Sequence, residues 1–253
     1  MTFDLQRANS LKRVSAWLLD AILLCIITTM MAWLLSAVLH YDSYVQQLDS
    51  RYAYYEETYG VRRDYTMDDV NAMTPEQRAN LDAASKELSQ DPVAIQAYQT
   101  IIYLVIAMVS LSLFLACVVL EFIVPMLLGH GQTVGKKVFG LAVMQLNGVR
   151  VNGVCMFIRT VIGKFAIELI IPILMGLMLY FGSINTIGWL VVGVIVTAEL
   201  FFIFSSPDRC PIHDKLANTI TVDYASQKIF DTKEDLIAYQ TKIAAEKAAE
   251  QDY

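Results

Sequence analysis

The chain has 253 residues, 56% of them hydrophobic and only 17% charged, and its mean hydropathy is +0.46. That is more apolar than the core of a soluble protein of this length requires, and it points to a membrane protein. The net charge of −6 says little by itself, because its sign is distributed unevenly along the chain, and no nucleic-acid partner is expected. Four cysteines (Cys25, Cys117, Cys155, Cys210) do not make a disulfide framework: two lie in apolar runs and none in the long polar segment. They read as small hydrophobes with inert thiols.

The first predicted element runs from Val14 to Leu39, apolar apart from Asp20 and with Arg13 at its mouth. A bilayer-crossing helix needs about 20 apolar residues, so this run suffices, and it is too long for a cleaved signal peptide. A carboxylate inside such a helix costs roughly 2.5–3.5 kcal/mol on insertion scales and therefore calls for a partner or a wet cavity. Arg13 and Asp20 are seven residues apart, two turns along one face. Further spans are predicted at about 101–128, carrying Glu121 and Pro125, at 162–181, carrying Lys164, Glu168 and Pro172, and at 187–204, carrying Glu199.

Lysine and arginine set the orientation. Arg7, Lys12 and Arg13 precede the first span; His130, Lys136, Lys137, Arg150 and Arg159 lie between the second and third; Arg209 and Lys215 follow the fourth. The 40–100 segment has eleven acidic residues against five basic ones. Both termini are therefore expected in the cytoplasm and the 40–100 insertion outside. That insertion holds eight of the thirteen tyrosines. Thr74-Pro75-Glu76-Gln77 has the form of a capped helix start and Asp91-Pro92 of a second one leading into the next span, so a mostly helical cap is predicted.

After the second span, Gly135-Lys136 resembles a phosphate loop only superficially: Lys137 stands where Ser or Thr is required, His130 where the first glycine is, and a membrane helix rather than a strand precedes it. The lysine pair suits anionic headgroups instead. Asn147-Gly148 between short apolar runs predicts a β-hairpin, Ala142–Leu146 against Val149–Gly153, in the 129–161 cytoplasmic loop. His213-Asp214 invites comparison with metal hydrolases, but the chain has only three histidines, one of them (His40) on the far side, so no metal, cofactor or catalytic residue is expected. From Asp231 to Gln251 an Ala/Glu/Lys-rich stretch reads as a solvated helix that Thr232 and Asp235 could cap.

Together these residues resemble the RDD family of bacterial membrane proteins. Arg13 and Asp20 match its arginine and first aspartate. Asp214, in His213-Asp214-Lys-Leu-Ala-Asn-Thr219 followed by an apolar strand, matches its second, and Gly131-Gln-Thr-Val-Gly135-Lys136 resembles its central block. Asn218 departs from the glycine usual before the threonine. The implied architecture is an all-α membrane protein: a four-helix transmembrane bundle over residues 1–225, with the extracytoplasmic helical insertion, the small cytoplasmic hairpin and a 226–253 tail, in the bacterial cell membrane.

Transport is the activity the resemblance suggests. Arg13, Asp20, Arg159, Glu168, Glu199 and Asp214 are the candidate binding or transport residues, and Asp20 is the one that least admits a trivial explanation. Glu168 has an alternative partner in Lys164 four residues earlier. The expected function is movement of a small ion or solute, a cation coupled to protons through an intramembrane carboxylate. The alternative is an adaptor or scaffold whose polar cluster is structural; an enzyme is not expected. Four spans without an internal repeat are few for a monomeric carrier, so a homo-oligomer in the lipid bilayer is expected.

Overall fold

The structure, a computed structural model, describes residues 8–180, 186–205 and 210–251. Arg7, Arg209 and the connection 181–185 lie outside the described residues, as does the side chain of Glu199. The chain divides into two compact units, Met30–Ser112 on the one hand and Met1–Thr29 with Leu113–Tyr253 on the other. The insertion thus lies in the smaller unit together with the adjoining parts of the two helices that flank it.

Helix α1 is Ser10–Val38 and α5 is Pro92–Leu128; both are long and apolar enough to cross a membrane. On α1 the usual distribution is reversed. Trp17, Leu18, Ile22, Ile26, Met30 and Trp33 are exposed, whereas Asp20 is buried. A water-soluble helix buries its apolar stripe and exposes its acids, so this pattern suits lipid outside and a polar partner inside. Helix α7 covers 153–180 and α8 is Thr186–Ser205, a shorter apolar helix.

In the smaller unit, α2 (Tyr41–Tyr59), α3 (Met67–Ala72) and α4 (Pro75–Leu88) precede α5. The Thr74 start is a reciprocal capping box with Gln77, and Thr66 makes the same box with Asp69. Asp91 caps α5 by accepting from the Val93 and Ala94 amides, and Arg51 Nε meets its other oxygen at 2.5 Å. The Arg51 guanidinium also lies over the rings of Tyr54 and Tyr55. One arginine thus fastens α2 to the start of α5, which is where part of the tyrosine excess goes.

In the larger unit, α6 (Val134–Val138) leads into β1 (Leu141–Gln145). The predicted hairpin needs correction. β1 pairs antiparallel with β2 (Thr219–Asp223), from Leu141 opposite Asp223 to Gln145 opposite Thr219. The Asn147-Gly148 turn does form, but toward Val149–Gly153 it yields only the Met144–Arg150 bridge and a Gln145 N–H bond to the Val149 carbonyl. The cause is burial: Leu141 to Met144 are all buried, so β1 needs a partner that seals it, and Ile220 and Val222 join Ala142, Met144 and Cys210 in one core. Helix α9 (Ile212–Leu216) precedes β2 and is joined to it through Asn218 at φ 54°, a left-handed position that glycine or asparagine adopts most readily. The departure at Asn218 therefore keeps the required backbone. Helix α10 (Lys233–Gln251) begins behind Thr232, whose hydroxyl accepts from the Asp235 amide.

Candidate functional site

Asp20 is met by the start of α6. Thr133 donates its hydroxyl to Asp20 Oδ2 at 2.5 Å, the Gly135 amide donates to Oδ1 at 2.8 Å, and Lys136 Nζ stands 4.0 Å away. Thr133 is also the N-cap, accepting from the Lys136 amide. A carboxylate buried in an apolar helix thus receives two donors and a nearby cation, the company it needs. Gly135 makes the approach possible: a Cβ there would run into the Ala16 carbonyl oxygen. The sequence signal for this contact was the Thr-Val-Gly-Lys order, an N-cap just before a small residue.

The second half of the site is built on α7, of which Ile158–Ile170 is π-helical. In an ordinary α-helix Arg159 and Lys164, five residues apart, would point about 140° away from each other. Bonding from i to i+5 widens the turn and lets Arg159, Lys164 and Glu168 line one cavity. Glu168 consequently does not take the alternative partner, Lys164, four residues earlier. Lys164 pairs with Glu121, which is buried in the π-helical stretch Val118–Ile123 of α5. Glu168 instead accepts from the backbone N–H of His213 at 2.9 Å and faces its Nδ1 at 2.8 Å.

Arg159 Nε donates to Asp214 Oδ1 at 2.8 Å, with both side chains almost fully buried. Thr219 Oγ1 donates to the same oxygen at 2.8 Å. Burial by itself would push the Asp214 carboxyl up; Arg159, His213, Thr219 and Lys136 outweigh it and hold the carboxyl below its ordinary range. Close packing of α9 on α7 requires Gly163, because a Cβ there would meet His213 Cα and Cβ at 2.6 Å.

A cavity of about 590 Å³ joins these groups, within the range of small-ligand sites. Arg13, Lys136, Arg159 and Lys164 line it against Asp20, Glu168 and Asp214, together with His213. Five of the six residues singled out from the sequence meet here; the sixth, Glu199, has its side chain outside the described residues. Lys136, Thr133 and His213 are neighbours in the site that the sequence reading did not select, and Lys164 entered that reading only as a partner for Glu168. Among the described residues no group of three or more His, Cys, Asp or Glu side chains could hold a metal ion.

Lys136 offers a pH test. Burial pushes its pKa down from 10.5 to about 8, against the opposing pull of Glu121 and Asp20. Between those two pH values the unfolded chain binds more protons than the folded one, so this group's contribution to stability rises with pH across the window. Thermal unfolding in nanodiscs at pH 7.5–10.5 should show a slope in the wild type that Lys136→Met removes; equal slopes would show that Lys136 is not buried.

A family model described as the RDD family matches residues 7–218. Neither a curated protein nor a solved structure matches the chain.

Proposed function

We propose, from the premise that this chain belongs to the RDD family and is a membrane protein, that it moves a small ion or solute, a cation coupled to protons, through the charged cavity. The observation that supports this best is the cavity itself: ionisable groups gathered beside helices whose outer surface is apolar. Ionisable groups at membrane depth mark ion pathways or proton relays by default. Helices α1, α5, α7 and α8 are the four spans of this reading, with both termini and the β1–β2 sheet in the cytoplasm, the 40–100 insertion outside, and a homo-oligomer as the working form.

The orientation is tested by cysteine labelling in a cysteine-free background. Thr74→Cys should react with an impermeant reagent in intact cells and Lys137→Cys should not; the reverse pattern would invert the topology. The transport reading is tested with the purified protein in liposomes, by recording proton movement in response to an imposed sodium or potassium gradient.

The rival reading, a scaffold held together by its ion pairs, has a specific observation in its favour: both oxygens of Asp20 are engaged by α6, as a structural latch would have them. A protein that gives no flux with any ion, yet loses stability when Asp20 is changed, would support the scaffold.

A further inference from the structure

We infer that His213 takes up and releases a proton in the cavity, by switching its Nε2 between two hydrogen-bond partners. The argument starts from donors. A guanidinium has no acceptor, so the 3.2 Å contact between Arg159 Nη2 and His213 Nε2 is formed only with a bare Nε2 accepting. The proton of the neutral ring then sits on Nδ1, which donates to the Glu168 carboxylate at 2.8 Å. This fixes one tautomer.

The second partner is already in place. Asp214 Oδ2 is buried and has no hydrogen-bond partner among the described residues, while Oδ1 of the same carboxylate takes both Arg159 and Thr219. His213 Nε2 lies 4.0 Å from this orphaned oxygen. When Nε2 gains a proton it can no longer accept from Arg159, and two N–H groups would oppose each other. A small ring movement turns the new N–H toward Asp214 Oδ2 and satisfies it. Nδ1 keeps its bond to Glu168, and Arg159 keeps Asp214 Oδ1 through Nε. No bond other than N–H forms, and the proton comes from and returns to water in the cavity.

Several charged groups face His213. Arg159, Glu168 and Asp214 touch it and sum to −1 with the ring neutral, so protonation brings the group to zero. Beyond them, α7 contributes Lys164, paired with Glu121, and α6 contributes Lys136, beside Asp20. On β2 the titratable residue is Asp223, bonded to Lys12; on α8 it is Glu199, whose side chain lies outside the described residues. Lys215 is the remaining titratable residue of α9. Asp20, by contrast, has each oxygen engaged by a donor from α6. This inference rests on the transport reading only for what the proton does; the uptake itself is independent of it.

The test is nitrogen NMR of the full-length protein in nanodiscs with ¹⁵N-labelled histidine, titrated from pH 5.5 to 8.5. Only His40 and His130 share the spectrum, so His40→Gln and His130→Gln assign His213 by subtraction, without altering the cavity. At high pH we expect His213 with Nδ1 protonated and Nε2 bare, and on acidification a single proton added at Nε2. A ring with Nε2 protonated and Nδ1 bare at high pH, or no change over the range, would overturn the inference. In liposomes, His213→Gln should flatten the pH dependence of flux. Flux absent in the wild type, with the titration as expected, would remove the transport reading and leave the switch. Flux that keeps its pH dependence in His213→Gln, or in a wild type whose His213 does not titrate, would remove the switch and leave transport.

Discussion

Replacing Arg159 with methionine should destabilise the protein by about 3–5 kcal/mol, the range expected when one partner of a buried ion pair is removed. The figure follows from geometry. Arg159 and Asp214 side chains are 5% and 1% exposed, and Asp214 Oδ1 depends on Arg159 and Thr219 for its bonds. With the guanidinium gone, an aspartate remains buried with one hydroxyl, His213 Nε2 4.0 Å away and a more distant lysine for company. The double replacement Arg159→Met/Asp214→Leu should recover most of the loss, because desolvation is then relieved on both sides. Unfolding in mixed micelles, compared across wild type, single and double variants, supplies the cycle. A single variant within about 1 kcal/mol of the wild type would show that the pair is hydrated rather than buried.

Asp20→Asn should cost about 1.5–3 kcal/mol, the range for hydrogen bonds to a charged group. An amide presents one acceptor where the carboxylate presents two, so either the Thr133 hydroxyl or the Gly135 amide is left facing an NH₂. Gly135→Ala attacks the same junction from the other side, by driving a methyl toward the Ala16 carbonyl, and overpacking of this kind costs typically 1–3 kcal/mol. Because both changes open one contact between α1 and α6, their combination should cost less than the sum. Strict additivity, measured by thermal midpoints of the three variants in nanodiscs, would mean that the junction does not behave as a unit.

Much of this arrangement was legible in the sequence. An aspartate in an apolar run demands a partner, and the capping boxes at Thr74 and Thr232 announce themselves within four residues. The long-range pairings were hidden for identifiable reasons. β1 and β2 are separated by more than seventy residues, and Asn147-Gly148 supplied a nearer and plausible turn; only the burial of every residue from Leu141 to Met144 reveals that a different strand is needed. The α7 face was hidden by the period. Reading Lys164 and Glu168 as i, i+4 neighbours assumes 3.6 residues per turn, whereas the π-helical stretch turns them toward Glu121 and His213. His213 itself was considered as a metal ligand and set aside, since nothing local in the sequence reports that Arg159, fifty-four residues earlier, donates to its ring.

Proton flux driven by a cation gradient in liposomes tests the central claim most directly, because it asks whether the charged cavity moves ions at all. The prediction is a protein-dependent proton signal on imposing a sodium or potassium gradient. Glu168→Gln should lose that signal, because glutamine no longer carries charge into the cavity, and should lower the thermal midpoint, because an NH₂ then replaces one of the two oxygens that face His213 Nδ1 at 2.8 Å. Wild-type liposomes that respond no more than protein-free ones to either cation would contradict it.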